Sequence, residues 1–295
     1  MAGEPALTSI RSEYLSADID SLGAQLVALR DPAGRDLQWS GDPAVWKGKA
    51  PILFPIVGAV ADNRYRVDDA TYALPRHGFA RDRLFSLVEA TSSSALFRLG
   101  WDEQSLAVYP FRFELDLRFS LEGATLAVQA SVKNLEADAS LPASFGFHPA
   151  LRWPLPYGEK RAEHVILFEA EEPAPIRRLN AHGLLLPETF ATPVEGKTLR
   201  LRDDLFQADA IIFDRLTSRS LRYGAAAGPQ IEFQFPDTPY LGIWSKPGAD
   251  FICIEPWHGI ADPENFMSDF RAKPGVFLVP PGQTKNCLMS ISLRP

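Results

Sequence analysis

Between Phe111 and Val132 the chain alternates apolar and polar residues one for one. Phe111, Phe113, Leu115, Leu117, Phe119 and Leu121 fall on one face, with Arg112, Glu114, Asp116, Arg118 and Ser120 on the other. A period of two belongs to a strand, whose successive side chains leave opposite sides of the backbone; a helix would scatter these residues around its circumference. After Glu122-Gly123 the pattern resumes in Leu126, Val128, Ala130 and Val132, which predicts an antiparallel pair with one wet face.

The same style recurs along the chain. Leu15, Ala17 and Ile19 alternate with polar residues, and Ala24 to Arg30 and Asp36 to Trp39 predict a hairpin across the turn residues Asp31-Pro32-Ala33-Gly34. Further short strands are expected at Leu199 to Arg202, Ala210 to Asp214, Ser220 to Tyr223, Gln230 to Phe235, Leu241 to Ser245 and Cys287 to Leu293. Pro51 to Gly58 is apolar but interrupted by prolines, which suits an irregular segment over a core. Helical periodicity is scarce, and one short turn is expected at Asp262-Pro263-Glu264-Asn265-Phe266, with Asp262 as its cap. Many short strands without a linker or composition break predict an all-β protein, a large antiparallel β-sandwich spanning residues 1–295 as one domain.

Composition limits the partners. A net charge of -7 disfavours nucleic acid, which is gripped by clustered basic surface. The two cysteines, Cys253 and Cys287, make no disulfide framework or metal motif and suit a reducing compartment. The first residues lack the apolar core of a signal peptide, and the longest apolar run, Ala50 to Ala61, is too short to span a bilayer. The expectation is a cytoplasmic protein with a small-molecule guest, without membrane attachment, as a monomer or homodimer.

Phe251-Ile252-Cys253-Ile254-Glu255-Pro256-Trp257-His258-Gly259 reads as a strand buried on both faces, with Glu255 delivered at its end, where Pro256 stops the ladder. Burial would raise the Glu255 pKa and suit it to proton transfer; equally, it could pair with an arginine at a strand end. His77 and His148 sit in aromatic-flanked segments beside glycine and proline, where chemical groups tend to be mounted, although single histidines there are usually structural. His164 and His182 lie among charged residues and receive no role. Arg64 and Arg81 are placed to hold hydroxyls or an anionic group through forked donors, whereas Arg66 and Arg83 suit a solvated edge. Trp46, Trp244 and Trp257 offer either a stacking face for a sugar ring or core packing. No paired metal ligands, nucleophile elbow or phosphate loop occurs, so neither a metal nor a cofactor is expected, although Asp62, His77, His148 and Glu255 could converge in space.

Asn63-Arg64, Arg76-His77-Gly78-Phe79-Ala80-Arg81-Asp82, Phe145-Gly146-Phe147-His148-Pro149-Ala150, Asp209-Ala210 and Cys253-Ile254-Glu255-Pro256-Trp257 together resemble the aldose 1-epimerase (mutarotase) family. The Arg-His-Gly-Phe-Ala-Arg block resembles the branch found with lactose-utilisation genes and the hexose-6-phosphate epimerases. The resemblance implies a galactose mutarotase-like supersandwich, free of cofactor, that interconverts the α and β anomers of a hexose, phosphorylated or not. By the same resemblance Glu255 is the general base and His148 the general acid, while Arg64, His77 and Asp209 bind hydroxyls. Asp203, Asp204 and Asp214 compete with Asp209 for that place, and Arg81 is a candidate phosphate ligand. This chemistry needs a charged Glu255 beside a protonated His148, which reference values of about 4.3 and 6.5 allow between roughly pH 4.5 and 6.5. A non-catalytic sugar binder needs no such pair, and a glycoside hydrolase would want two carboxylates.

Overall fold

The computed structural model describes residues 4–295. The hairpin expected from the alternation is its centre: Phe113–Glu122 and Thr125–Asn134 pair antiparallel, with Leu121 opposite Leu126, Phe119 opposite Val128 and Leu117 opposite Ala130. Around it runs a nine-stranded sheet in the spatial order Thr198–Arg200, His164–Phe168, Ser220–Ala225, Gln230–Gln234, Thr284–Arg294, Thr125–Asn134, Phe113–Glu122, Ser94–Gly100 and Ser86–Ala90. A second, six-stranded sheet follows the order Ile211–Phe213, Tyr240–Trp244, Phe251–His258, Phe145–Phe147 and Ile52–Leu53, with Ala150–Arg152 also pairing to Phe251–His258. Leu7–Arg11, Ser16–Asp20 and Gln25–Arg30 form a separate three-stranded sheet. No helix among the described residues is long and apolar enough to cross a membrane.

The inner faces of the two large sheets share one hydrophobic cluster that contains Phe113, Phe119, Val128 and Met289 together with Ile52, Phe147, Ile252 and Ile254. The other face of the six-stranded sheet is covered too, by a cluster around Trp257, Ile212 and Leu185 and another around Trp39, Phe251 and Cys253. Phe251–His258 is therefore buried on both sides, which explains its unbroken apolar run. Its even positions Ile252 and Ile254 serve the main core, and its odd positions Cys253, Glu255 and Trp257 face the other way.

Two expectations are corrected here. Glu255 lies inside the strand, which continues through Pro256 to His258, and Pro256 is in register with Leu241. The proline is tolerated because its missing N–H points towards Phe145–Arg152, where the ladder is already interrupted. Asp262 caps no helix: residues 263–266 make only a turn, closed by Phe266 N–H on Pro263 O, and the Asp262 carboxylate is taken by Lys273 and by Ala61 N–H. The one α-helix among the described residues is Glu103–Val108, opened by a reciprocal Asp102–Ser105 capping box.

Candidate active site

The pairing of Phe145–Arg152 with Phe251–His258 brings the two candidate catalytic side chains together. Gly146 faces Trp257 and Ala150 faces Cys253, two contacts in one common register. Carried through Pro149 and Pro256, that register sets His148 directly across from Glu255. Ile254 N–H still reaches Pro149 O at 3.2 Å, so the His148–Glu255 position is of the non-hydrogen-bonded kind, in which side chains come closest. The observed result is His148 Nε2 at 3.1 Å from Glu255 Oε2, the side chains 9% and 2% exposed.

Both groups line a cavity of about 400 Å³, together with Arg76, His77, Arg81, Asp209, Trp46, Trp244 and Trp257. The structure thus brings together five of the six residues singled out from the sequence. The sixth, Arg64, is elsewhere: the alternation of Arg64–Val67 buries Tyr65 and Val67 and turns Arg64 outwards, to a smaller cavity with Asp62, Arg66 and Phe270. Asp62 is likewise outside the main cavity. Among the competing carboxylates, Asp203 is bound by Arg161, Asp204 by Arg202 and Asp214 by Arg177, leaving Asp209 as the one that reaches the cavity.

His77 is held twice by the backbone of Gly58, whose N–H donates to Nδ1 at 3.1 Å and whose carbonyl accepts the His77 N–H at 2.8 Å. A backbone N–H can only donate, so Nδ1 carries no proton and the neutral ring has its donor at Nε2. His77 and Asp209 both adopt left-handed backbone, at φ 70° and 60°, a conformation that costs non-glycine residues on the order of 1–3 kcal/mol and clusters at functional sites. Asp209 is met across the cavity mouth by Arg76 at 3.5 Å, and Arg81 donates to the Arg76 carbonyl at 2.9 Å. Arg76 was visible in its motif but had no assigned role; its place opposite Asp209 depends on two loops 133 residues apart, which local pattern does not encode.

Electrostatically the pair differs from the expectation. Burial pushes Glu255 well above the ordinary carboxylate value, Arg76 pulling it back only in part. Burial takes His148 down to about 3, with Arg76 and Arg81 adding to the depression. The site therefore favours the neutral pair, with the proton on Glu255, over carboxylate and imidazolium. His77 is lowered as well, first by burial and then by His148.

Three side-chain atoms here are buried without a partner: His148 Nδ1, Glu255 Oε2 and Trp257 Nε1. The contact between His148 and Glu255 is close in distance but not aligned as a hydrogen bond. The Trp257 indole lies near enough to Glu255 to lower its pKa but likewise lacks an aligned acceptor. Buried polar atoms left unsatisfied are uncommon in folded proteins, and three meet at this one place. Trp46 and Trp244 flank the His148 ring with centroids at 5.3 Å and 6.1 Å, and Trp257 covers Gly242, where a Cβ would stand 2.4 Å from the indole. Ligand atoms of His148, Glu255 and Cys253 lie within 4.8 Å of one another, but burial pushes the Cys253 thiol well up, so it packs as a neutral group beneath the floor.

Comparison with known proteins identifies the family and the fold. The model of the aldose 1-epimerase family matches residues 6–265. The chain belongs to the aldose 1-epimerase family. Protein LacX (chromosomal) of Lactococcus lactis subsp. lactis is 33% identical over 293 residues, covering 96% of this chain and 98% of that protein. A galactose mutarotase related enzyme from Lactobacillus acidophilus superposes with a TM-score of 0.89 at 27% identity, over 98% of each chain. A galactose mutarotase-like protein from Lactobacillus casei gives 0.90 at 27% identity, covering 98% of this chain and 100% of that one. Within the aldose 1-epimerase family the chain stands on the LacX-like side, and its two large sheets form the galactose mutarotase-like fold.

Proposed function

We propose that the protein is an aldose 1-epimerase in activity, exchanging the α and β anomers of a hexose by opening and reclosing its ring. The observation that carries this reading is the 3.1 Å approach of His148 and Glu255 on one wall of a cavity large enough for a sugar. Ring opening needs a proton taken from the anomeric hydroxyl and another given to the ring oxygen as the bond from C1 to that oxygen breaks. Rotation about the C1–C2 bond and the reverse transfers yield the other anomer.

With Glu255 as base and His148 as acid, opening converts a charged couple into the neutral one. The buried wall favours that product, and the same burial sets the cost of first moving the proton from Glu255 to His148. Closing the ring on the opposite face restores the charges. Hydroxyls of a bound sugar, donating to Glu255 and accepting from His148, would stabilise the charged couple at the start. His77 Nε2–H and Asp209 supply one donor and one acceptor for further hydroxyls. A non-catalytic binder has no use for two titratable groups within contact distance.

Arg76 and Arg81, with side chains 43% and 32% exposed at the cavity, favour a second form of the same reading, a hexose bearing an anionic group such as a phosphate. The test is anomer exchange, by polarimetry or NMR exchange spectroscopy, over a panel of free and 6-phosphorylated hexoses. His148→Asn and Glu255→Gln should each lose about 10²–10⁴-fold in rate with the fold kept. Wild-type-like rates in either variant defeat the assignment, and preference for the free sugars defeats the anionic form.

A further inference from the structure

Lys273 is fully buried, and its ammonium reaches one partner, Asp262 Oδ1 at 2.6 Å, the side chains being 0% and 3% exposed. Such pairs add little to stability, because desolvating two charges offsets their attraction and apolar replacements of similar volume are often as stable. The location of this one points to another use. The second carboxylate oxygen of Asp262 accepts the Ala61 N–H at 3.1 Å, and the Asp262 N–H donates to Ala59 O at 2.9 Å. One residue therefore grips the 59–61 segment at both ends. Immediately before that segment stands Gly58, joined to His77 by its N–H to Nδ1 and by its carbonyl. Gly58, at φ 75°, is pressed against the residue before Asp262: a Cβ on it would lie 2.6 Å from Ala261 Cα. Gly58 and Ala261 also form part of the main cavity wall.

From this continuous path we propose that the Asp262–Lys273 ion pair is a positioning device for His77. The carboxylate, held in one orientation by the lysine, fixes residues 58–61 so that Gly58 keeps its N–H on Nδ1 and the imidazole presents Nε2–H to the sugar. Neither Asp262 nor Lys273 touches the main cavity. The kinetic consequence rests on the anomer-exchange reading; the effect on the His77 tautomer does not.

The experiment compares two double variants. Asp262→Leu/Lys273→Met replaces the ion pair by apolar volume and leaves Ala61 N–H without an acceptor. Asp262→Asn/Lys273→Met removes the charges but keeps an oxygen for Ala61. The His77 tautomer is read by ¹⁵N imidazole NMR, together with melting temperature and kcat/KM. The first variant should stay folded, show mixed His77 tautomers and lose at least roughly tenfold in kcat/KM, within the about 10²-fold that a one-ångström misplacement costs. The second should recover the single Nε2–H tautomer and most of the rate. A single wild-type tautomer in the first variant overturns the proposal, as does failure of both variants to fold, which would make the pair structural. Absence of anomer exchange in the wild type on every hexose tested would instead remove the functional reading, leaving the tautomer measurement decisive for the positioning role.

Discussion

Glu255 makes no aligned hydrogen bond and its Oε2 is fully buried, so ionising it carries a desolvation cost that Arg76 offsets only in part. The proton shared with His148 is accordingly expected on the carboxyl group of the folded protein. Difference infrared spectroscopy at pH 6 between wild type and Glu255→Gln should reveal the carbonyl band of an un-ionised carboxyl; its absence would place the proton on His148. The importance of Glu255 could be read from an acidic residue in an apolar run, but the sense of its protonation could not, because burial on both faces follows from long-range packing. Arg64 shows the converse. With Asn63 it forms the block whose resemblance suggested a sugar ligand, yet strand alternation turns the guanidinium away.

Elements were legible in proportion to how one-sided their burial is. Phe113–Glu122 and Thr125–Asn134 alternate strictly and were found; Ser86–Ala90 is exposed along its whole length and offers no pattern to find. His164–Phe168 was hidden because a histidine opens it, although that ring is buried and accepts Leu155 N–H at Nε2. Glu103–Val108 is too short for helical periodicity, and only its Asp102–Ser105 box could have announced it. The strand Tyr240–Trp244 carries a glycine for a readable reason: Gly242 stands opposite Glu255 and leaves the space that the Trp257 indole fills. Gly242→Ala should cost about 1–3 kcal/mol through overpacking and raise KM by displacing the indole. Melting temperature and KM both unchanged would show that the ring has room to give.

At the scale of the molecule, the buried pair shapes stability against pH. Its folded form holds one proton, on Glu255, from about pH 3, where the lowered His148 imidazole becomes neutral, until the pH passes the raised Glu255 pKa. Unfolded, the two groups hold two protons below about 4.5, one between about 4.5 and 6.5, and none above. The pair's contribution should therefore rise between about pH 3 and 4.5, stay level to about 6.5 and then fall until the raised Glu255 pKa is passed, each sloping limb approaching about 1.4 kcal/mol per pH unit. Urea titrations of wild type and of His148→Asn/Glu255→Gln, subtracted from each other across pH, isolate this profile; a sloping difference between pH 5 and 6 would refute the neutral pair. The all-β architecture was legible from repeated alternation, whereas the pairing of two large sheets around distant strands was not, since no local pattern names a strand's partner.

The common register of Gly146 with Trp257 and of Ala150 with Cys253 has one more consequence. Because neighbouring strand residues look in opposite directions, inserting or deleting a single residue between Gly146 and Ala150 would aim the imidazole at the hydrophobic interior or shift it past the carboxyl. Spacing, rather than the identity of the flanking side chains, is what this stretch must preserve. The loops bearing Arg76, Arg81 and Asp209 can vary without disturbing that count.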